Sequence, residues 1–399
     1  MDGRASPMPT LDQRLAVELQ RIREAQLYRV RRTVEGTHGV EITVEGKACL
    51  NFCSNDYLGL ASDPRVAEAA RKSLAESGTG SGAAALVSGY NREHRALEEE
   101  LAAFLGRPRA LLFSTGWAAN LGVLRALLGK NDTLIADELN HASLIDGGRL
   151  SGANYTRVAH AQMSAYAAAL AQPRSGETLV VTDSVFSMDG DLAPLKELSA
   201  LSAQHGATLM VDDAHGLGVL GDDGSGAVRA AGLGVAEVPI YVATLGKSLG
   251  AAGAFIAGSE NLIEFLIQRA RSWVFSTAPP PAIAAAARAA LRIVQAEPQR
   301  RAQLHENIRR LREGAVQLGI PLSDSMTAIQ PLIVGDESRA LALSRRLYER
   351  GLWVAAIRPP TVPKGTSRLR ITLSATHTAT QIDQLLATLD EGLRAEAST

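Results

Sequence analysis

Thr208-Leu209-Met210-Val211-Asp212-Asp213-Ala214-His215-Gly216 is a continuous apolar run that ends in two acids, with a histidine three residues after Asp212. An apolar run of this kind reads as a strand buried on both faces, the form taken in a parallel sheet covered by helices. In open α/β sheets, ligands bind at the carboxyl ends of the strands, where Asp212 and His215 fall. An acid at such a place can hold a protonated ring nitrogen. The alternative is a metal set of Asp212, Asp213 and His215, which no further metal-type cluster in the sequence extends.

A second strand end follows. Val242-Ala243-Thr244-Leu245-Gly246-Lys247-Ser248-Leu249-Gly250 carries a lysine just past an apolar run, in a turn of small residues. Burial lowers a lysine's pKa and suits it to Schiff-base formation. A glycine–lysine turn can equally bind phosphate or serve no chemistry. The combination is more specific: Lys247 comes 35 residues after Asp212. An acid that keeps a pyridine ring protonated, and a lysine that can bind an aldehyde, together suit pyridoxal 5′-phosphate (PLP).

Three more polar turns follow apolar runs. Phe113-Ser114-Thr115-Gly116-Trp117-Ala118-Ala119-Asn120 reads as strand, turn and helix start, whose free N–H groups suit a phosphate or are satisfied by an ordinary N-cap. Asp137-Glu138-Leu139-Asn140-His141-Ala142-Ser143 offers a histidine that could stack on a flat cofactor or sit in the core. Thr182-Asp183-Ser184-Val185-Phe186-Ser187-Met188-Asp189-Gly190 is the third.

From about residue 60 to 290, short β-rich runs (110–113, 133–136, 179–182, 208–211, 240–243 and 253–257) alternate with helical stretches at 94–105, 117–128 and 195–205. This is the pattern of an α/β domain with crossover helices. Before it, residues 1 to 8 read as a loose tail and Leu11 to Tyr28 as an amphipathic helical arm. Val40–Val44 and Ala48–Phe52 read as a hairpin turning at Glu45-Gly46. After Pro279-Pro280-Pro281 a long helical stretch is expected to Leu318. A smaller α/β segment follows, with strands at 329–334, 354–357 and 369–373 and helices at 338–350 and 378–395. The expected division is arm and hairpin (1–58), large domain (59–290) and C-terminal small domain (291–399).

The 399 residues carry a formal charge of −1, with 46% hydrophobic and 21% charged residues, ordinary for a globular protein. Nothing in that charge favours nucleic acid or an anionic membrane. No apolar stretch is long enough to span a bilayer, and the charged N-terminus lacks a signal-peptide core, so a cytoplasmic location is expected. Cys49 and Cys53, the two cysteines, read as core residues.

Taken together, these strand ends resemble those of the α-oxoamine synthases, over about Leu11 to Leu393. The resemblance implies a PLP-dependent transferase of fold type I, with a large, mostly parallel seven-stranded sheet, a smaller C-terminal α/β domain and an N-terminal arm. It implies a homodimer with shared active sites. Lys247 would be the Schiff-base lysine, Asp212 the partner of the pyridine nitrogen and His215 a contact of the ring oxygen. His141 would stack on the ring and face the substrate. Gly116 and Trp117 would contact phosphate or ring, Thr244 the phosphate, and Ser187 would lie near the cofactor. Ser276 and Thr277, in Phe275-Ser276-Thr277, match the segment a neighbouring subunit contributes to the phosphate site. Asn51-Phe52-Cys53-Ser54-Asn55-Asp56-Tyr57-Leu58-Gly59-Leu60 is similar to the family's N-terminal signature, and makes Asn55 a substrate contact. Arg29 matches an arginine near the acyl-substrate entrance. Ile357-Arg358-Pro359-Pro360-Thr361-Val362-Pro363 with Arg368-Leu369-Arg370 is similar to the C-terminal signature. Thr361 would line the substrate site and Arg370 clamp the amino acid's carboxylate.

Within the family, Ser325–Val334 and the Arg358–Thr361 run are most similar to the branch that condenses L-alanine with pimeloyl-CoA, or a pimeloyl carrier protein, to 8-amino-7-oxononanoate in biotin synthesis. Leu373 stands where 5-aminolevulinate synthases usually have proline, and Ser88-Gly89-Tyr90 where 2-amino-3-ketobutyrate ligases usually have Cys-Gly-Thr. Two positions depart from the pattern: Ala84, usually Ser or Thr, and Trp117, usually Phe or Tyr. A small Ala84 leaves room for alanine's methyl group. The rivals are another member using glycine or serine with a different acyl-CoA, and a non-catalytic PLP-fold subunit. Joint retention of Lys247, Asp212, His215 and His141 argues against the second.

Overall fold

A computed structural model describes residues 9–397; the expected tail at residues 1 to 8 lies outside the described residues. The decisive strand forms at Thr208–Asp212, in the middle of a seven-stranded sheet. Across that sheet the strands run 109–113, 254–258, 240–244, 208–212, 178–183, 133–137 and 154–158. Only 254–258 runs against its neighbours; the other pairings are parallel. The sheet is mostly parallel, as expected for fold type I. Strands 178–183 and 254–258 are buried at every residue, which is why they read as continuous apolar runs.

Six of the seven strands are the apolar runs of the sequence. The seventh, Asn154–Val158, was not among them: it lies at the sheet edge with an exposed–buried pattern that buries only Val158. The helical stretch expected to Leu318 is divided into two helices, Pro281–Ala296 and Pro298–Leu318. Pro298 has no N–H to continue the first helix, but it fits the first turn of the second.

The hairpin pairs Glu41–Val44 with Lys47–Asn51 through Glu45 and Gly46, both at positive φ (50° and 75°). Positive φ at both central residues marks a two-residue turn whose twist matches the strands. Its second strand also pairs, in parallel, with Leu352–Trp353, so the N-terminal hairpin shares a sheet with the C-terminal region. A third sheet orders Ile329–Gly335, Ser367–Thr372 and Ala355–Ile357, with the fully buried Ser367–Thr372 at its centre. The N-terminal signature is laced to that central strand. Thr372 N–H donates to Phe52 O and Ala375 N–H to Tyr57 O, each at 2.8 Å. The helix Leu11–Glu24 is capped by Thr10 but buries none of its residues. Among the described residues, no helix is long and apolar enough to cross a membrane.

Candidate active site

The carboxyl ends of strands 109–113, 133–137, 178–183, 208–212 and 240–244 open onto one cleft. It is lined by Gly116, Trp117, Asn120, His141, Ser143, Asp183, Ser187, Asp212, Ala214, His215, Val242, Ala243, Thr244 and Lys247. Eight of these are the sequence's own candidates: Gly116, Trp117, His141, Ser187, Asp212, His215, Thr244 and Lys247.

Lys247 sits in the turn after strand 240–244. Gly250 holds this turn at φ +60°, and a Cβ there would lie 2.2 Å from the backbone nitrogen of Ala61. Only glycine lets the lysine turn approach the N-terminal signature so closely. The Lys247 Nζ is 2.7 Å from His215 Nε2. Burial is the main force on the amine and lowers its pKa to about 8, against the charges of Asp212 and Asp183, which raise it. His215 is pushed well below its ordinary value, first by burial and then by the Lys247 charge.

Asp212 and Asp213 are adjacent but face different surroundings. Asp212 Oδ2 accepts from Asn120 Nδ2 at 2.7 Å, and Oδ1 accepts from Ala214 N–H at 3.1 Å. The Asp213 carboxylate is turned away, held by the hydroxyls of Ser184 (2.5 Å) and Tyr241 (3.0 Å) and by Ala227 N–H (2.9 Å). Burial pushes the Asp213 carboxyl up to about 7. The metal reading of Asp212, Asp213 and His215 therefore does not match this geometry. Asp213 is structural, and among the described residues no group of three or more His, Cys, Asp or Glu could hold a metal ion.

His141 caps helix Ala142–Ser151. Its Nδ1 lies 3.3 Å from Ser143 N–H, which can only donate, and 2.7 Å from Ser143 Oγ. Nδ1 is thus an acceptor, and the ring proton is on Nε2. Burial lowers this imidazole's pKa and favours the neutral form. Asn120 Nδ2 also donates to Ser143 Oγ at 2.9 Å, so one carboxamide sets both the Asp212 carboxylate and, through Ser143, the His141 ring. The His141 backbone N–H donates to Asp183 Oδ2 at 2.7 Å. Burial, and then the neighbouring Asp212 charge, raise the Asp183 carboxyl well above its ordinary value.

The Thr115 hydroxyl caps helix Gly116–Leu127 by accepting from Ala118 N–H, and the Thr115 carbonyl takes Ala119 N–H. The Gly116 and Trp117 N–H groups have no acceptor among the described residues, an arrangement suited to an anion at a helix N-terminus. Trp117 is 45% exposed at the cleft rim, not in the core. The Thr244 hydroxyl donates to Gly253 O at 2.9 Å and accepts from Gly246 N–H.

Asn55 and Arg370 come together behind this cleft. Arg370 Nη1 and Nη2 each donate to Asn55 Oδ1 at 3.2 Å, and its Nε donates to Ser187 O at 2.5 Å. Arg29 and Thr361 also meet each other (3.4 Å), but neither lines the Lys247 cleft. Arg358 reaches back to the carbonyls of Gln26 and Tyr28, so it anchors the arm. Ser276 and Thr277 lie outside the Lys247 cleft of their own chain, beside Ser114 and Tyr90. Thr277 forms a backbone bridge with Ala84, which places Ala84 outside that cleft too.

Sequence reading passed over Asn120, Ser143 and Tyr57 as site residues. The available signal for Asn120 was a lone carboxamide in the apolar first turns of the helix GWAANLGVLRAL, where it is buried.

The fit to PLP rests on the donor set: a buried amine with lowered pKa, a carboxylate held by Asn120, and two free helix N-terminal amides. Asn120 Oδ1 is, in addition, a buried polar atom without a partner at the cleft wall. The family model "Aminotransferase class I and II" matches residues 47–389. The chain belongs to this family. It is 58% identical over 381 residues to the 8-amino-7-oxononanoate synthase of Thioalkalivibrio sulfidiphilus, covering 95% of this chain and 97% of that one. It is 57% identical over 382 residues to the 8-amino-7-oxononanoate synthase of Methylococcus capsulatus, covering 96% and 99%. A solved serine palmitoyltransferase from S. paucimobilis with bound PLP–myriocin superposes with a TM-score of 0.92 at 30% identity, covering 98% of this chain and all of that one. The chain is a PLP-dependent enzyme of fold type I.

Proposed function

We propose that this chain is an 8-amino-7-oxononanoate synthase, which joins L-alanine to a pimeloyl thioester with release of CO2 and the free thiol. The observation that carries the reading is the convergence of Lys247, Asp212, His215 and His141 on one cleft, in a chain 57–58% identical to two enzymes of that name.

PLP, when bound, supplies an electron sink for the bonds broken at the amino acid's Cα. Lys247 is the residue that would hold its aldehyde carbon covalently. Asp212, oriented by Asn120, would hold the pyridine nitrogen's proton. The free amides of Gly116 and Trp117 would face the phosphate, with Thr244 and Ser187 close by. A Lys247 amine near pKa 8 is partly unprotonated at neutral pH, so it can take the Cα proton of alanine and return one to the product. Arg370 keeps further N–H groups beyond those given to Asn55 and Ser187, enough to bind the alanine carboxylate with two donors. His141, neutral with Nε2–H free of its Ser143 contacts, would present a flat face and one donor to the ring and substrate. Arg29 and Thr361 would receive the acyl chain.

The homodimer belongs to the same reading. Ser276 and Thr277 do not reach their own chain's cleft, while Leu86, Val87 and Phe275 near them are 55%, 79% and 71% exposed. A second copy covering this apolar surface would bring the two hydroxyls to its own cofactor. Ala84, bridged to Thr277, would face alanine's methyl only from the other subunit.

The test is thiol release from pimeloyl-CoA with alanine, glycine and serine offered in turn. The reading expects the highest kcat/KM with alanine. A preference for glycine or serine, or activity only with other acyl donors, would move the chain to another branch.

A further inference from the structure

An unbroken line of hydrogen bonds joins the lysine of the cleft to the arginine of the central C-terminal strand. Lys247 Nζ is 2.7 Å from His215 Nε2, and His215 Nδ1 is 2.6 Å from the Tyr57 hydroxyl. That hydroxyl is 3.2 Å from Asn55 Oδ1, which accepts both Arg370 contacts at 3.2 Å. Tyr57 is 1% exposed, so water does not compete for its single hydroxyl proton.

The donors along this line can be assigned by elimination. A guanidinium only donates, so the Asn55 atom that faces Arg370 is its carbonyl oxygen. Oδ1 cannot donate to Tyr57, so the tyrosine proton points at Asn55. The Tyr57 oxygen therefore accepts from His215, and the histidine proton sits on Nδ1. Burial keeps the ring neutral, which leaves Nε2 bare and accepting from Lys247. The free protein thus holds the tautomer that cannot donate from Nε2 into the cleft. A histidine that contacts the cofactor's ring oxygen must do the opposite, because two acceptors facing each other in a buried site repel.

We propose that the Tyr57 hydroxyl is a two-position switch, aimed at Asn55 in the free protein and at His215 Nδ1 when the cofactor's ring oxygen faces Nε2. Cofactor loading then selects the Nε2–H tautomer and withdraws the tyrosine's hydrogen bond from Asn55 Oδ1, leaving that oxygen to Arg370. This rests on the PLP reading above and adds to it a coupling: the Asn55 Oδ1 that faces Arg370 is released by Tyr57 only when the cofactor is in place. The protons balance. Nε2 gains the one that Lys247 gives up, Nδ1 releases one to solvent, and the Tyr57 hydroxyl turns without losing its own. Tyr57 is a positioning residue in this scheme, since it acts through His215 and Asn55.

The test is nitrogen NMR of the full chain with labelled histidine, with and without PLP, using His215→Asn to identify the His215 signals. His215 should be the Nδ1–H form in the free protein and the Nε2–H form when loaded. In Tyr57→Phe the loaded protein should lack the Nδ1 partner, and PLP affinity should fall roughly tenfold in an absorbance titration, the cost of one unpaired buried polar group. If Tyr57→Phe folds poorly, the wild-type pair of spectra decides alone. An unchanged His215 tautomer in protein that carries PLP on Lys247 overturns the switch and leaves the cofactor reading intact. Failure of the wild type to carry PLP on Lys247 overturns both.

Discussion

The ε-nitrogen of Lys247 lies 2.7 Å from Nε2 of His215, in a site where burial holds the amine near pKa 8 and the imidazole neutral. A lysine is ordinarily among the most solvated of side chains. Here it is withdrawn from water, next to a ring that can accept its proton but carries no charge to stabilise it.

This placement has a stability consequence in the cofactor-free protein. Because the folded pKa is lowered from 10.5 to about 8, the unfolded chain binds the extra proton between these values, and stability due to this group rises with pH across that window. Below pH 8 the charged amine is a cost. Lys247→Met in cofactor-free protein should therefore raise stability at pH 7 by roughly 1–3 kcal/mol, with the gain shrinking towards pH 10. Denaturant melts at pH 7 and 10 check this. A destabilised Lys247→Met protein would show that the amine is not desolvated.

Asp212→Asn keeps the side chain's shape and removes its charge. The expected loss in kcat is about 10²–10³-fold, the scale of one electrostatic group in a dry site (~2.7–4 kcal/mol). Asn120→Ala should lower kcat as well, by less, since it frees the carboxylate without removing it. Steady-state kinetics on both variants are the check. Near-normal turnover in Asp212→Asn would make the acid structural.

His160 bridges two strand-end segments, with Nδ1 at 2.9 Å from Asp137 and Nε2 at 2.8 Å from Asp191. Burial alone would lower its pKa, but the hydrogen bonds its ring donates to the Asp137 and Asp191 carboxylates outweigh burial and raise it to about 10. A raised pKa stabilises the fold fully below the unfolded value, about 6.5, and the contribution is lost as pH rises through 10. His160→Gln should lower stability at pH 6 by roughly 2–4 kcal/mol and much less at pH 10. Melts at the two pH values test this; an equal loss at both would mean that the imidazolium charge contributes nothing.

Mixing inactive Lys247→Ala chains with inactive Ser276→Ala/Thr277→Ala chains should restore part of the activity, because one site of each hybrid dimer would hold all wild-type groups. Fully active protein that sediments as a monomer would contradict the shared site.

Much of this was legible in the sequence because strand ends concentrate function. Asp212, His215 and Lys247 follow runs so apolar that their position at the sheet's carboxyl edge is determined once the strands are recognised. The edge strand Asn154–Val158 gave no such run, since three of its five residues, Asn154, Thr156 and Arg157, are polar and exposed at the sheet edge. Pro298 was hidden inside a helical pattern that continues on both sides of it. Asn120, Ser143 and Tyr57 escaped because their roles depend on distances across the fold: Tyr57 meets His215 158 residues away, and no local spacing encodes that. Ser276 and Thr277 are assigned by resemblance alone, and within one chain they have no geometry that would point to the cofactor.

Lys247 is the residue proposed to bind PLP. Borohydride reduction of the PLP-loaded protein, followed by peptide mapping by mass spectrometry, tests it directly. One pyridoxyl-modified lysine per chain is expected, at Lys247, and none in Lys247→Ala. Stoichiometric modification at any other lysine, or unchanged modification in Lys247→Ala, would contradict it.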